Sequence, residues 1–228
     1  MAENTNAPFC GKSVSSYSEG AQRQVPGYTD LHRMVSLLLA ENAPEDARVL
    51  VLGAGGGQEI KALADAHSHW TFCGIDPSAD MLDLAKNTTA EHAKRIELHQ
   101  GFIGDAPDGP FDAATSILTF HFIPLADRQE TLTQIRQRMK IGAPFILVHL
   151  SFPQTEPERS KWIARHVAYG QPDGADPALV QNAQNAIRER LTILSPEDEV
   201  KMLGEAGFSD ASLFYAGLSI KGWIAYAA

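Results

Sequence analysis

Val49-Leu50-Val51-Leu52-Gly53-Ala54-Gly55-Gly56-Gly57-Gln58-Glu59-Ile60 passes from an unbroken apolar run into a glycine-rich turn, then into residues spaced like a helix. A short apolar run bounded by a turn is the pattern of a buried strand. Gly53, Gly55 and Gly57 allow positive φ values and let backbone approach a ligand where a Cβ would intrude. The spacing then restricts the ligand. A dinucleotide loop, G-x-G-x-x-G from Gly53, needs glycine at 58, where this chain has Gln58. No Lys-Ser or Lys-Thr follows, which excludes a phosphate-binding P-loop.

Thr71-Phe72-Cys73-Gly74-Ile75 reads as a second strand running into Asp76-Pro77-Ser78, with a helical pattern through Met81, Leu82 and Leu84 behind it. In an open α/β sheet, ligands bind at the carboxyl ends of the strands, and an acid about 20 residues after the glycine turn accepts ribose hydroxyls. Asp76 satisfies that spacing for any nucleoside. It is equally suited to cap the helix that follows.

The remaining sequence alternates in the same way. A helix over about Tyr28 to Glu41 precedes strands near 48–52, 71–75 and 95–99, separated by helices near 57–66 and 79–92. Strands over Phe111–Leu118 and Ala143–Leu150 flank a helix near 126–138. The alternation predicts an α/β fold, doubly wound, with a mostly parallel sheet and helices on both faces. Near the end, Ala206-Gly207-Phe208 closes a helix, and Ser212–Ala216 and Ile220–Ala227 form an antiparallel hairpin. With 228 residues, 44% of them apolar, the chain suits one sizeable domain. A net charge of −9 argues against a nucleic-acid partner, and no apolar run approaches a membrane span, so a cytoplasmic location is expected. Cys10 and Cys73 show no metal or disulfide spacing, and the loop carrying His67 and His69 offers no nearby run of acidic ligands, so both read as exposed turn residues; no metal is expected.

The G-x-G-x-G turn, the acid after strand two and the Ala-Gly-Phe before strand six together resemble class I S-adenosylmethionine (SAM) dependent methyltransferases. The resemblance extends from Arg48 to Ala228. It implies a seven-stranded Rossmann-like sheet and SAM as cofactor. Gly53, Ala54, Gly55 and Gly57 would lie against the methionine end, and Asp76 with Pro77 at the ribose. Met81, Gly101, Phe102 and Ile103 would surround the adenine, with Ile117, Leu118 and Thr119 completing the site. The family's third loop usually reads Gly-Asp; here Phe102 stands where the acid is expected, and Asp105 or backbone groups are left to help hold the base.

Tyr17 to Tyr28 resembles the segment of carboxy-SAM synthases, relatives acting in transfer-RNA wobble uridine modification, in which Arg-x-Val-Pro-Gly-Tyr precedes the first helix. Arg23 and Tyr28 match that run. An arginine there could pair bidentately with the methionine carboxylate, and Tyr17 or Tyr28 could cover the sulfonium. The alternative is a core Tyr28 and a solvated Arg23. Residues 1–45 are thus read as a cofactor-covering segment and helix of a single domain spanning 1–228. Residues 151–193 are read as a helical lid carrying Trp162, His166 and Tyr169, either as an aromatic pocket or as a helix-packing face that could join two copies in a homodimer. Arg159, Arg165, Arg188 and Arg190 offer charge for a carboxylate, without a matching context.

His121, just beyond strand four, is the candidate catalytic residue, as a base or a substrate contact, with a structural histidine the competing reading. The functional expectation is methyl transfer from SAM to a small-molecule acceptor. The alternatives are a carboxy-SAM synthase or transfer-RNA modifying relative, and a non-catalytic SAM-binding protein.

Overall fold

The computed structural model describes residues 17–172 and 174–228, with side chains from residue 20 onward. Tyr17 as a side chain, and Cys10, lie outside the described residues. Seven strands form one sheet: β1 (Arg48–Leu52), β2 (Thr71–Asp76), β3 (Ile96–Gln100), β4 (Ala113–Ile117), β5 (Pro144–Leu150), β6 (Phe208–Gly217) and β7 (Ile220–Ala227), in the order β3-β2-β1-β4-β5-β7-β6. The first five are parallel, while β7 runs antiparallel between β5 and β6. The order reverses between β1 and β4, so the carboxyl ends of those strands diverge into the crevice where ligands bind in such sheets.

Alternate residues of the central strands feed two cores. Val49, Val51, Ala113, Ile146 and Val148 pack with α2 (Tyr28–Ala40) and α3 (Gln58–Ala66). Leu50, Leu52, Ala114, Phe145 and Leu147 pack on the opposite face with α5 (Leu125–Gln137) and α8 (Pro196–Glu205). Burial on both faces explains why these strands read as continuous apolar runs. The remaining helices are α1 (Tyr17–Gln24), α4 (Ala79–Thr88), α6 (Glu158–Gly170) and α7 (Pro177–Arg190). None of the described helices is long and apolar enough to cross a membrane.

Two boundaries differ by four residues from the sequence expectation. The helix expected to reach residue 92 stops at Thr88, where the Thr89 hydroxyl donates back to the Ala85 carbonyl and a 3-10 turn, Ala90–Arg95, follows. Strand β6 begins at Phe208 rather than Ser212. Phe208 is buried and pairs with Ala227, but a register shift between Ser209 and Ser212, with Asp210 at φ 53°, breaks the alternation that marks a strand.

Candidate functional site

The glycine loop is built by backbone geometry. Gly53, Gly55 and Gly57 adopt φ values of 80°, 51° and 80°. Two consecutive N–H groups, of Gly53 and Ala54, donate to the Ile75 carbonyl at the end of β2. A Cβ on Gly53 would lie 1.9 Å from Thr119 Oγ1, and one on Gly57 would lie 2.9 Å from Ala85 Cα. The loop therefore accepts only glycine at both ends, wedged between the turn after β4 and helix α4.

Asp76 ties this loop to β2. Its Oδ2 accepts from Gly55 N–H and its Oδ1 from Ser78 N–H, both at 2.9 Å. Burial pushes its carboxyl above the ordinary value, and those two N–H groups oppose the rise. Each oxygen retains a lone pair, which leaves acceptors for a ribose diol. The helix cap falls to Ser78, whose Oγ accepts from Met81 N–H at 3.3 Å, not to Asp76. Met81 is buried against the loop side of α4, its Cε 3.9 Å from the Cβ position of Gly56. Pro77 is exposed, and its carbonyl accepts from Gln100 Nε2.

After β3, Gly101 (φ 149°) leaves no room for a Cβ beside Asp105, whose Oδ2 accepts from Phe102 N–H at 2.9 Å. Asp105 thus folds its own turn. Ile103 is buried and Phe102 is 65% exposed, a bare ring at the strand ends. Across the crevice, Ile117 is buried, Leu118 holds φ 58°, and the Thr119 hydroxyl donates to the Ile117 carbonyl.

Two cavities meet at Leu118. A small one, about 20 Å³, lies between the glycine loop, Ile117, Leu118, Tyr28, His32 and Glu59. A larger one, about 440 Å³, is walled by α1, α6, α7 and the turn after β4, with His121, Phe122, Leu150, His166 and Ile187 among its lining residues. Helices α6 and α7 pack on each other, and α1 packs on α6. A third concavity of about 1090 Å³ is an open groove between α2 and α3, lined largely by their polar positions.

Several expected residues take different places. Arg23 is exposed and lines none of these cavities, because Gly20, Ala21 and Gln24 form the inward face of α1. Tyr28 is half-buried at the small cavity, its ring edge-on to His32 with centroids 4.6 Å apart. Of the two readings of the insertion, the aromatic pocket keeps only His166. Trp162 instead stacks on Phe152 and carries Arg165 over its ring at 4.7 Å, while Tyr169 points to solvent. His67 is not an exposed turn residue: it stacks on Trp70 and meets Ser36 Oγ at 2.8 Å, whereas His69 is exposed.

Both cavity histidines are buried. His121 Nδ1 accepts from Leu150 N–H at 3.5 Å, and burial, with the nearby His149, His166 and Arg128, holds its pKa well below the ordinary value. His166 Nδ1 meets Ser219 Oγ at 2.7 Å, and burial lowers its pKa to about 4. Behind His121 lies a network that sequence reading missed. The fully buried Arg128 of α5 donates to Glu199 Oε1 of α8 at 3.0 Å and to the carbonyls of Phe120, Ile123 and Thr192. Glu199 also lies 3.4 Å from His149 Nε2. This network pins the turn that carries His121. Its signal was available: Arg128 sits in the stripe of Leu132 and Ile135, and Glu199 in that of Leu203, as charges on buried helix faces.

Sheet order, glycine loop and the acid at the end of β2 define a nucleoside-binding α/β protein. The sequence model of a methyltransferase domain matches residues 50–145. Along its whole length the chain is similar to the carboxy-SAM synthase of Campylobacter lari, 22% identical over 96% of this chain and 93% of that one. It is 26% identical to that of Staphylococcus epidermidis, over 94% and 93% of the two chains. Among solved structures, an O-methyltransferase family protein from Burkholderia thailandensis superposes with a TM-score of 0.69 at 15% identity, covering 95% of this chain and 60% of that longer one. The matched domain and the relatives it aligns with support a class I SAM-dependent methyltransferase, with SAM the cofactor that this similarity implies. Its residues fit that group: a tight backbone loop, a buried acid with free lone pairs, and, at the loop, a buried carboxylate oxygen of Glu59 that lacks a hydrogen-bond partner.

Proposed function

We propose that this enzyme transfers the SAM methyl group to a small, uncharged, largely apolar acceptor bound in the 440 Å³ cavity. The observation that carries the reading is the wall of that cavity: two buried histidines and the neutral Gln24 and Gln171 among otherwise apolar residues and glycines, with no Lys, Arg, Asp or Glu lining it among the described residues. An ionised acceptor would lose its hydration there without gaining a counter-charge. Leu118 borders both cavities, which supports an acceptor site adjoining the methionine end of SAM in the glycine loop.

In this reading Asp76 holds the ribose, Gly53 to Gly57 with Ala54 and Thr119 hold the methionine end, and Met81, Phe102 and Ile103 flank the adenine. When bound, SAM would supply an electrophilic methyl group carried on a sulfonium. Positioning is then the main demand on the protein. With Nδ1 accepting the Leu150 N–H, neutral His121 carries its proton on Nε2, so it donates a hydrogen bond to the acceptor. Its low pKa makes it a weak base, which suits an acceptor that loses its proton readily after or during transfer. Helices α1, α6 and α7, from segments 1–45 and 151–193 of a single domain, act as the cover that excludes water. We also place the enzyme in the cytoplasm, with pairing of copies, where it occurs, through the outer faces of α6 and α7.

A second reading, carboxy-SAM synthesis, is supported by the full-length similarity to those synthases and by the Arg23–Tyr28 run. Against it, the arginines of the insertion are engaged elsewhere or exposed: Arg159 meets Gln154, Arg165 covers Trp162, Arg188 meets Asn185 and Arg190 is exposed. Mass spectrometry decides between the two. Incubation with SAM and a panel of neutral phenols, enols and heteroaromatics should add one methyl to an acceptor. Carboxy-SAM carried through purification, with no methylated product, would favour the synthase.

A further inference from the structure

SAM brings a positive α-ammonium into the glycine loop, and strand β1, Arg48-Val49-Leu50-Val51-Leu52, supplies no acid to meet it. Asp76 is already engaged by two N–H groups on the ribose side of the loop. One other carboxylate stands at the loop among the residues lining the small cavity. Glu59, in the first turn of α3, is only 7% exposed, lines that cavity, and has an Oε1 with no hydrogen-bond partner. A buried carboxylate oxygen without a partner is costly unless something compensates. We propose that Glu59 is the counter-ion for the α-ammonium of bound SAM.

Three observations converge on this assignment. The cavity of about 20 Å³ beside Glu59 has room for a single ammonium-sized group, and its other walls are Gly53 to Gly56, Ile117 and Leu118. The other titratable side chains on that cavity, His32 and Tyr28 of α2, bring no competing positive charge: burial lowers the His32 pKa to about 4, so the ring is neutral, and its Nε2 also lacks a partner. The uncharged Thr115 hydroxyl of β4 lies close enough to Glu59 to favour its ionised form weakly, although neither Thr115 Oγ1 nor Glu59 Oε1 has a partner at full hydrogen-bond geometry. Burial raises the Glu59 pKa to about 7, the Thr115 hydroxyl offsetting part of the rise, so a large share of the free enzyme carries Glu59 protonated at neutral pH. An arriving ammonium favours the ionised form and expels that proton.

The inference rests on SAM occupying the glycine loop, and the test separates the two. S-adenosylhomocysteine carries the ammonium; 5′-methylthioadenosine shares the nucleoside and lacks it. By titration calorimetry, Glu59→Gln should weaken S-adenosylhomocysteine about 10- to 100-fold and change 5′-methylthioadenosine less than about twofold. Unchanged affinity for both, or equal losses for both, overturns the role of Glu59 alone. Failure of the wild-type protein to bind either compound overturns the loop as the SAM site, and this proposal with it. A measurement on wild type guards against a variant that does not fold. Near pH 7, in two buffers of different ionisation enthalpy, S-adenosylhomocysteine should release more protons than 5′-methylthioadenosine; equal release contradicts the assignment.

Discussion

The two halves of the crevice are built by different means. Around β1 and β2, position is set by main chain: glycines at positive φ, paired N–H groups on Ile75, and Asp76 clasping Gly55 and Ser78. Around the acceptor cavity, position is set by buried polar side chains from distant elements: His121 after β4, His166 on α6, and Arg128 with Glu199 joining α5 to α8. A backbone site tolerates no added Cβ but needs few particular side chains. A side-chain site has the opposite sensitivity, and mutations should separate them.

The largest effect is expected in the acceptor half. Arg128→Ala leaves the Glu199 carboxylate and three carbonyls without their donor inside the core, and should cost about 3–5 kcal/mol in denaturant unfolding. A loss below about 1 kcal/mol would show that the network does not hold this half together. Replacing both Arg128 and Glu199 with apolar residues should recover part of the loss.

Both halves should also respond to pH, with His166 of the acceptor half and Glu59 of the SAM half opposite in sign and His32, beside Glu59, following His166. His166 and His32 have folded pKa values lowered to about 4, so their neutral forms favour the folded state above pH 6.5, and that stability is lost as pH falls from 6.5 through 4. Each difference corresponds to about 3 kcal/mol at most. Glu59, raised to about 7, works the other way: its contribution is complete below about pH 4.5 and fades as pH rises through 7. Unfolding titrations of His166→Asn and Glu59→Gln should flatten the acid and neutral limbs separately. A single limb altered by both variants would merge the two regions into one coupled unit.

A smaller change probes the backbone half. Gly57→Ala forces a side chain into φ 80° against the backbone of α4, and should lower stability by about 1–3 kcal/mol while also weakening SAM. The smallest effect belongs to Arg23→Ala, because an exposed arginine contributes within about 1 kcal/mol. A SAM affinity loss well beyond that would mean α1 closes over the cofactor in the bound state.

This contrast explains what could be read from the chain alone. Gly53, Gly55, Gly57 and Asp76 announce themselves, because a main-chain turn needs particular residues at short spacing. The strands were legible for a related reason, their burial on both faces of the sheet. The acceptor half was legible only in part: His121 and His166 stood out by position, whereas Arg128 and Glu199, 71 residues apart, come together only through tertiary packing. Their local trace is a polar residue within an apolar helix stripe, as also at His32 and Glu59. Trp162 and Tyr169 show the converse: aromatic residues at helical spacing left a pocket and a packing face both open, and Trp162 packs on Phe152 while Tyr169 faces solvent.

The central claim is that the glycine loop and Asp76 form the SAM site. Titration of SAM into wild type and Asp76→Ala, with unfolding curves recorded alongside, tests it most directly. The account predicts a folded variant whose affinity falls by about 2–3 kcal/mol, through loss of charge-assisted hydrogen bonds to the ribose. A folded Asp76→Ala that binds SAM as tightly as wild type would contradict it.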